Sequence, residues 1–257
     1  MPIAVVPVLN ESSTISLVLD QLQHLPLREI VLILNGCQDN SAEIIQRHQT
    51  KVSKKIILFA HPLVIDIPRA IGLKYALTKN AKAVLFVDGD LTASVEPVLY
   101  KLLQDVCYRN VDLALTNCYP YPDYRSPLAQ EILYYRKTLN RTLGIFHQIG
   151  LASPSHGPHC VSRMLMNQIP INAFAIPPLE LAFCVEMQGL IKVSAALNDI
   201  TWHAKERDIA HNIAIAETII GDCFMAQNYF LHAAPNRKGF YGYHQMRRFD
   251  LLEKTLF

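Results

Sequence analysis

The chain has 257 residues, of which 51% are hydrophobic and 18% charged; 24 basic residues face 22 acidic ones, for a formal net charge of +2. That apolar share supports a sizeable packed core and argues against disorder. The balanced charge excludes a protein whose main partner is a nucleic-acid backbone, and the length suits one large or two small domains.

Six cysteines (Cys37, Cys107, Cys118, Cys160, Cys184, Cys223) are scattered with no C-x-x-C pair. A zinc ribbon or small disulfide scaffold is therefore excluded, and reduced thiols in a cytoplasmic protein are expected. The opening residues MPIAVVPVLNESS show neither a basic n-region nor a small-residue cleavage site, so no signal peptide is expected. No uninterrupted apolar run reaches the roughly 18 residues of a membrane span. The most apolar stretch, 209–231, is broken by His211, Asn212, Glu217, Asp222, Gln227 and Asn228, which suits a buried helix.

The first half alternates short apolar runs with helical patterns. Residues 3–8 read as a strand, and Ser12 or Ser13 as the cap of a helix with apolar positions Ile15, Val18, Leu19 and Leu22. Residues 30–34 form the next strand, and Ser41 caps a helix to about Gln49. Residues 55–60 form a third strand, Pro68 suits the first turn of a helix to about Thr78, and 83–87 form a fourth strand. Pro97 opens a helix to about Cys107, and 111–116 form a fifth strand. Apolar strands alternating with helices indicate an α/β fold with a mostly parallel sheet flanked by helices, whose ligands bind beyond the carboxyl ends of the strands.

The second half is less regular. A helix spans about 127–143 and is followed by a Gly/Pro/Ser/His loop, 150–159. A short helix at 162–168, a longer one at 179–188 and a strand at 191–197 come next. Asp208 caps a long helix with Ile209, Ile213, Ala216, Ile220 and Phe224 at helical spacing, which leaves His211 as a surface or packing residue. The shift near residue 120 divides a single domain, 1–257, into a nucleotide-type half (1–120) and an acceptor-type half (121–257) with C-terminal helices.

The sharpest chemical signal is VLFVDGDL, 84–91. A buried strand ends in Asp88, and Asp90, two residues on, points the same way in an extended chain. Two carboxylates at the carboxyl edge of a sheet form a hard oxygen site suited to Mg²⁺ or Mn²⁺ bridged to phosphate. Asp-Gly-Asp is also good turn chemistry, and that reading stands beside the first.

Residues 2–22 resemble the opening strand and helix of nucleotide-sugar glycosyltransferases of the GT-A (Rossmann-like) fold, through Pro7, Asn10 and Glu11. Asn35, Gly36, Asp39 and Ser41 are similar to that family's second strand and loop; Arg69, Gly72 and Leu73 resemble its Ala-Arg-Asn-x-Gly-Leu segment, and VDGDL its D-x-D motif. Four matches in order across residues 2–91 are more specific than any one. The nearest branches are the lipid-phosphate sugar transferases and glucosyl-3-phosphoglycerate synthase-like enzymes. The resemblance implies a metal-dependent transfer of a sugar from a UDP- or GDP-linked donor to an acceptor it does not identify. It implies that Pro7, Asn10, Glu11, Asn35 and Asp39 border the base and ribose, and that Arg69 lies near the diphosphate. Asp88 then faces ribose or metal-bound water, and Asp90 ligates the cation and serves catalysis.

On the acceptor side, His156 and His159 touch the acceptor or phosphates, or only cap the loop. Glu180 is the candidate general base or orienting residue, or simply a carboxylate favoured at a helix N-terminus. His203 is the candidate third metal ligand, and Lys205 and Arg207 would neutralise diphosphate or an anionic acceptor. The sequence departs from the family at Leu34-Asn35, where acidic residues are usual, and at Pro177-Pro178, where inverting members carry Glu-Asp. These departures keep an inactive GT-A-like binding protein as an alternative. A sugar nucleotidyltransferase is disfavoured, because PVLNESST lacks its glycine-rich loop. The basic, aromatic last twenty residues leave contact with an anionic acceptor, a peripheral membrane surface or a second subunit as open expectations.

Overall fold

The computed structural model describes residues 1–120, 125–197 and 208–257. Among them seven strands form one sheet: β1 (Ile3–Val8), β2 (Glu29–Asn35), β3 (Ser53–Phe59), β4 (Ala83–Phe86), β5 (Leu113–Asn117), β6 (His159–Ser162) and β7 (Ile191–Ala196). Their order is β3-β2-β1-β4-β6-β5-β7. β1 pairs in parallel with β2 and β4, and β2 with β3, whereas β6 runs antiparallel between β4 and β5.

The period of two along each strand builds two cores. Ile3, Val5, Val31, Ile33, Val84 and Phe86 pack on one face with Ile67, Ile71 and Leu73 of α3 (Ile67–Thr78). Ala4, Val6, Ile30, Leu32 and Leu85 pack on the other, with Ile15, Val18, Leu19 and Leu22 of α1 (Ile15–Leu22) and Leu99, Leu102 and Leu103 of α4 (Glu96–Tyr108). An eight-residue helix such as α1 is marginal alone. Burying four aliphatic side chains, at roughly 1.5–3 kcal/mol each, holds it in place.

α2 (Ser41–Arg47) follows β2, and the second half adds α5 (Pro127–Thr142), α6 (Phe146–Ile149), α7 (Arg163–Gln168), α8 (Pro177–Glu186), α9 (Ile209–Phe230) and α10 (Phe249–Lys254). Among the described helices α9 has the length and hydropathy of a membrane span. In the fold it packs between α5 and α8, and Gln227 on it donates to Thr142 Oγ1 at 2.8 Å.

The structure corrects several local expectations. β6 falls where the sequence reads only as loop and helix start: four residues, HCVS, are too few for a pattern and are recognisable only through their pairing with β4 and β5. β3 is the sheet edge, so the apolar run 56–59 does not mark a doubly buried strand, and Leu58 is 68% exposed. Thr14, not Ser12 or Ser13, precedes α1, and its hydroxyl is drawn to the Glu11 and Gly89 carbonyls. Ser41 opens α2 but its hydroxyl serves Glu11 and Asp39 instead of the helix end. Asp208 does cap α9, accepting from the His211 amide at 2.7 Å.

Candidate active site

The carboxyl ends of β1, β2 and β4 open into a cleft of about 1000 Å³. Its floor carries Pro7 and Glu11 from the β1 loop, Asn35 from β2, and Asp88, Gly89 and Asp90 from the β4 turn. Asp66 and Arg69 contribute from the start of α3, Ser155 and His156 from the 150–159 loop, and His211, Ile215, Ile219 and Asp222 from one stripe of α9.

Local chemistry brings the floor together. A Cβ on Gly89 would lie 2.8 Å from the Pro7 carbonyl oxygen, so only glycine lets the Asp-Gly-Asp turn sit against the end of β1. The loops after β1 and β2 are clasped by Asp39. Its Oδ1 accepts from the Ser41 amide (3.0 Å) and hydroxyl (2.5 Å), and its Oδ2 from the Ser12 amide (3.0 Å). The Glu11 amide donates to Ser41 Oγ at 2.8 Å, and Asn10, in the left-handed region at φ 58°, accepts from the Gln38 amide. Desolvation opposes the Asp39 charge, but these donors hold its pKa down at about 2. Asn35 Oδ1 accepts from the Leu63 amide, tying β2 to the loop before α3.

Behind the floor runs a chain of alternating charges. Arg69 Nη2 donates to Asp88 Oδ1 (2.6 Å) and its Nη1 to Asp66 Oδ1 (2.9 Å). Asp66 Oδ2 accepts from Arg247 Nη2 (3.2 Å), which also reaches Asp222 Oδ2 (2.7 Å); Asp222 Oδ1 accepts from Arg237 Nη1 (2.6 Å). Six charges thus link the C-terminal segment, through α9, to the Asp-Gly-Asp turn. Asp66 and its neighbour Val64 both have positive φ (64° and 69°), a strained pair for non-glycine residues. The C-terminal segment clamps that strain: Arg247 Nε donates to the Ile65 carbonyl and the Arg248 amide to the Leu63 carbonyl. Burial alone would raise the Asp88 carboxyl, but the Arg69 guanidinium holds it below the ordinary carboxylate value.

Beneath the turn lies a second titratable group. β6 pairs His159 opposite Phe86, whose ring it stacks on at 4.8 Å between centroids. His159 Nε2 is 3.8 Å from Glu180 Oε1, which takes no hydrogen bond, and both residues are 1% exposed. Burial pushes the Glu180 carboxyl up to about 8. Burial and then Arg69 push His159 down to about 3, while burial and then Arg136 do the same to His156, so both imidazoles are neutral at physiological pH.

The model of glycosyl transferase family 2 matches residues 3–168. The chain belongs to glycosyl transferase family 2. Similar solved structures include glucosyl-3-phosphoglycerate synthase from Mycobacterium tuberculosis in complex with UDP, with a TM-score of 0.65 and 16% identity over 89% of this chain and 80% of that one. The same enzyme with Mn²⁺, UDP and glucosyl-3-phosphoglycerate gives 0.64 and 17% over the same shares. A mycobacterial protein gives 0.63 and 17% over 89% and 75%. At that identity the likeness establishes the fold, the GT-A arrangement of a mostly parallel sheet flanked by helices. No curated protein sequence matches this one.

Within this glycosyltransferase, Pro7, Glu11, Asn35, Arg69, Asp88 and Asp90 line one cleft. Asn10 and Asp39 do not line it: their side chains tie the two loops together. Glu180 does not line it either. Its carboxyl is fully buried behind His159, a placement that suits the orienting role better than that of general base. His203, Lys205 and Arg207 lie outside the described residues. His211, expected from the sequence as a surface or packing residue, lines the cleft and shares a 2.8 Å hydrogen bond with the Tyr243 hydroxyl. Of the basic tail, Arg237 and Arg247 are buried in the charge chain and present nothing to a membrane, an anionic ligand or a second subunit. Asp66 and Asp222 went unread. The signal in each was an acid within apolar sequence, VIDIP and IIGDCF.

The donor set fits a hard cation. Asp88 and Asp90 give carboxylate oxygens at the cleft floor, and among the described residues no group of three or more His, Cys, Asp or Glu gathers to complete a shell. Two protein carboxylates with the remaining positions left to phosphate oxygens and water is the arrangement Mg²⁺ favours.

Proposed function

We propose that this protein transfers a sugar from a nucleoside-diphosphate sugar, with UDP the first nucleotide to test, to an acceptor that enters between the 150–159 loop and α9. One observation carries the reading. Asp88, Asp90, Arg69, Glu11 and Asn35, drawn from four separate chain segments, converge on a single cleft at the carboxyl ends of parallel strands, where such folds bind nucleotides. The UDP held by the structurally similar synthase supports the choice of nucleotide.

Asp88 and Asp90 would hold Mg²⁺ or Mn²⁺, which as a Lewis acid stabilises the diphosphate as the glycosidic bond breaks. Arg69 keeps Asp88 ionised and fixes which of its oxygens faces the cleft. Asn35 and Pro7 border the nucleoside, and the Asp39 clasp sets the spacing of the loops that carry them. His156, neutral at the cleft wall, orients an acceptor hydroxyl. All six cysteines are free thiols, which supports a reducing, cytoplasmic setting.

The test is calorimetric titration of the whole protein with UDP and with GDP, each with Mn²⁺, Mg²⁺ or EDTA, followed by assay of sugar release from the matching nucleotide sugars. Cation-dependent nucleotide binding with slow sugar release is expected. Absence of any nucleotide binding in the presence of either cation overturns the reading.

A further inference from the structure

Four arginines are buried among the described residues: Arg69, Arg136, Arg237 and Arg247. Three stand in the Asp–Arg chain and face carboxylate oxygens at 2.6–3.2 Å. Arg136, on α5, is the exception. It is 1% exposed and has no carboxylate partner among the described residues. Its Nη2 donates to Ser155 Oγ at 3.0 Å, and its guanidinium lies 5.6 Å from the centre of the Tyr119 ring. Its Nε and Nη1 are buried with no acceptor.

A guanidinium cannot shed its proton to escape burial, so an unpaired one is a standing cost to the folded protein. Its position says what offsets that cost. Ser155 lies between Arg136 and the cleft: it accepts from Nη2 and, with His156, lines the cleft wall. That wall belongs to the loop after α6, a segment separate from the loops after β1 and β2. An acidic group displacing Ser155 Oγ would meet the fork of the guanidinium with two oxygens, the geometry in which arginine binds carboxylate and phosphate most strongly.

We propose that Arg136 is the anion-binding group of the acceptor side, taking a carboxylate or phosphate of the acceptor that enters past Ser155 and His156. The assignment of that side rests on the glycosyl-transfer reading above. A donor diphosphate is the other source of acidic oxygens, but it belongs with the cation at Asp88 and Asp90, and Arg136 is offered to a second anion.

The probes are inorganic phosphate and malonate, titrated into the whole protein and followed by calorimetry and thermal melting, with and without UDP and Mg²⁺. The wild-type protein is expected to bind at least one of the two dianions, and to bind it equally well with UDP and Mg²⁺ present. Arg136→Met is expected to weaken that binding at least tenfold, and Arg136→Lys to an intermediate degree. The ligand-free Arg136→Met protein is expected to melt no lower than wild type, because an unpaired buried charge has been removed. Unchanged dianion affinity in Arg136→Met overturns the proposal, as does failure of the wild type to bind either probe. A melting point well below wild type, or failure of Arg136→Met to fold, makes the residue structural and also overturns it. Loss of dianion binding when UDP and Mg²⁺ are present assigns the site to the donor and overturns the acceptor role. Failure of the wild type to bind UDP or GDP with a cation sinks the donor reading instead, and the Arg136 comparison with phosphate still stands on its own.

Discussion

Arg69 divides its guanidinium between two carboxylates, donating to Asp88 Oδ1 at 2.6 Å and to Asp66 Oδ1 at 2.9 Å. Asp88, at the cleft floor, is thereby fastened to Asp66, in the strained loop before α3. Replacing Arg69 with Met leaves both acids without this partner. A folding loss of roughly 3–5 kcal/mol is expected, the usual consequence of breaking a buried pair from one side. Nucleotide affinity in the presence of Mn²⁺ is expected to fall at least tenfold. Urea unfolding and calorimetry measure the two effects separately, and a variant with wild-type nucleotide affinity would show that Asp88 needs no help in orientation.

Asp90 lines the cleft two residues after Asp88. Asp90→Ala is expected to abolish cation-dependent nucleotide binding, and Asp88→Asn to lower both that binding and the unfolding free energy, since it weakens the pair with Arg69. Turnover and cation-dependent affinity at the wild-type level in Asp90→Ala would remove the cation from this turn.

Asp222 is the hinge of the charge chain, accepting from Arg237 and Arg247 together. Asp222→Asn takes the carboxylate partner from Arg237 and leaves Arg247 with Asp66 alone, and is expected to destabilise by roughly 3–5 kcal/mol. Adding Arg237→Met to it removes the stranded charge, so the double variant is expected to recover part of the loss. Strict additivity of the two single changes, seen in a double-mutant cycle by urea unfolding, would mean that the contact stores no coupling energy.

The parts legible in the sequence were those written locally. The buried runs 3–8, 30–34 and 83–87, and the acids two apart at Asp88 and Asp90, follow from a period of two and from chain order alone. What escaped was written non-locally. β6 exists because β4 and β5 leave a slot between them, not because HCVS prefers to be a strand. Asp66 and Arg247 are separated by 181 positions and meet only once α9 and the C-terminal segment have packed. The resemblance has Asp39 border the base and ribose; in the fold its oxygens accept from neighbouring amides and a hydroxyl, contacts that no spacing rule separates from a ligand contact.

That clasp predicts an acid-range signature. The Asp39 pKa is lowered from an ordinary value of 3.8 to about 2, so its folded charge contributes stability fully above about pH 3.8. The contribution is lost as pH falls through the folded value. The stability difference between wild type and Asp39→Asn is therefore expected to be constant above pH 4 and to shrink toward pH 2. Chemical denaturation at stepped pH reads it, and a difference that stays constant through the acid range would mean that the carboxylate is not held by these donors.

Glu180 has the opposite sign. Its pKa rises from an ordinary 4.5 to about 8, so the folded state holds a proton that the unfolded chain gives up. Its effect on stability worsens as pH climbs from 4.5 and levels off above 8. The advantage of Glu180→Gln over wild type is expected to grow by about 1.4 kcal/mol per pH unit across that window. His159, its neighbour at 3.8 Å, is pushed down from 6.5 to about 3; the slope this gives below pH 6.5 is common to both proteins and cancels in their difference. Turnover separates orientation from proton abstraction: a general base contributes about 10²–10⁴-fold, whereas a group that only steadies His159 beneath the cleft is expected to cost less than tenfold when made neutral. Parallel stability curves for the two proteins would mean that water reaches the Glu180 carboxyl, and would reopen its path to the acceptor.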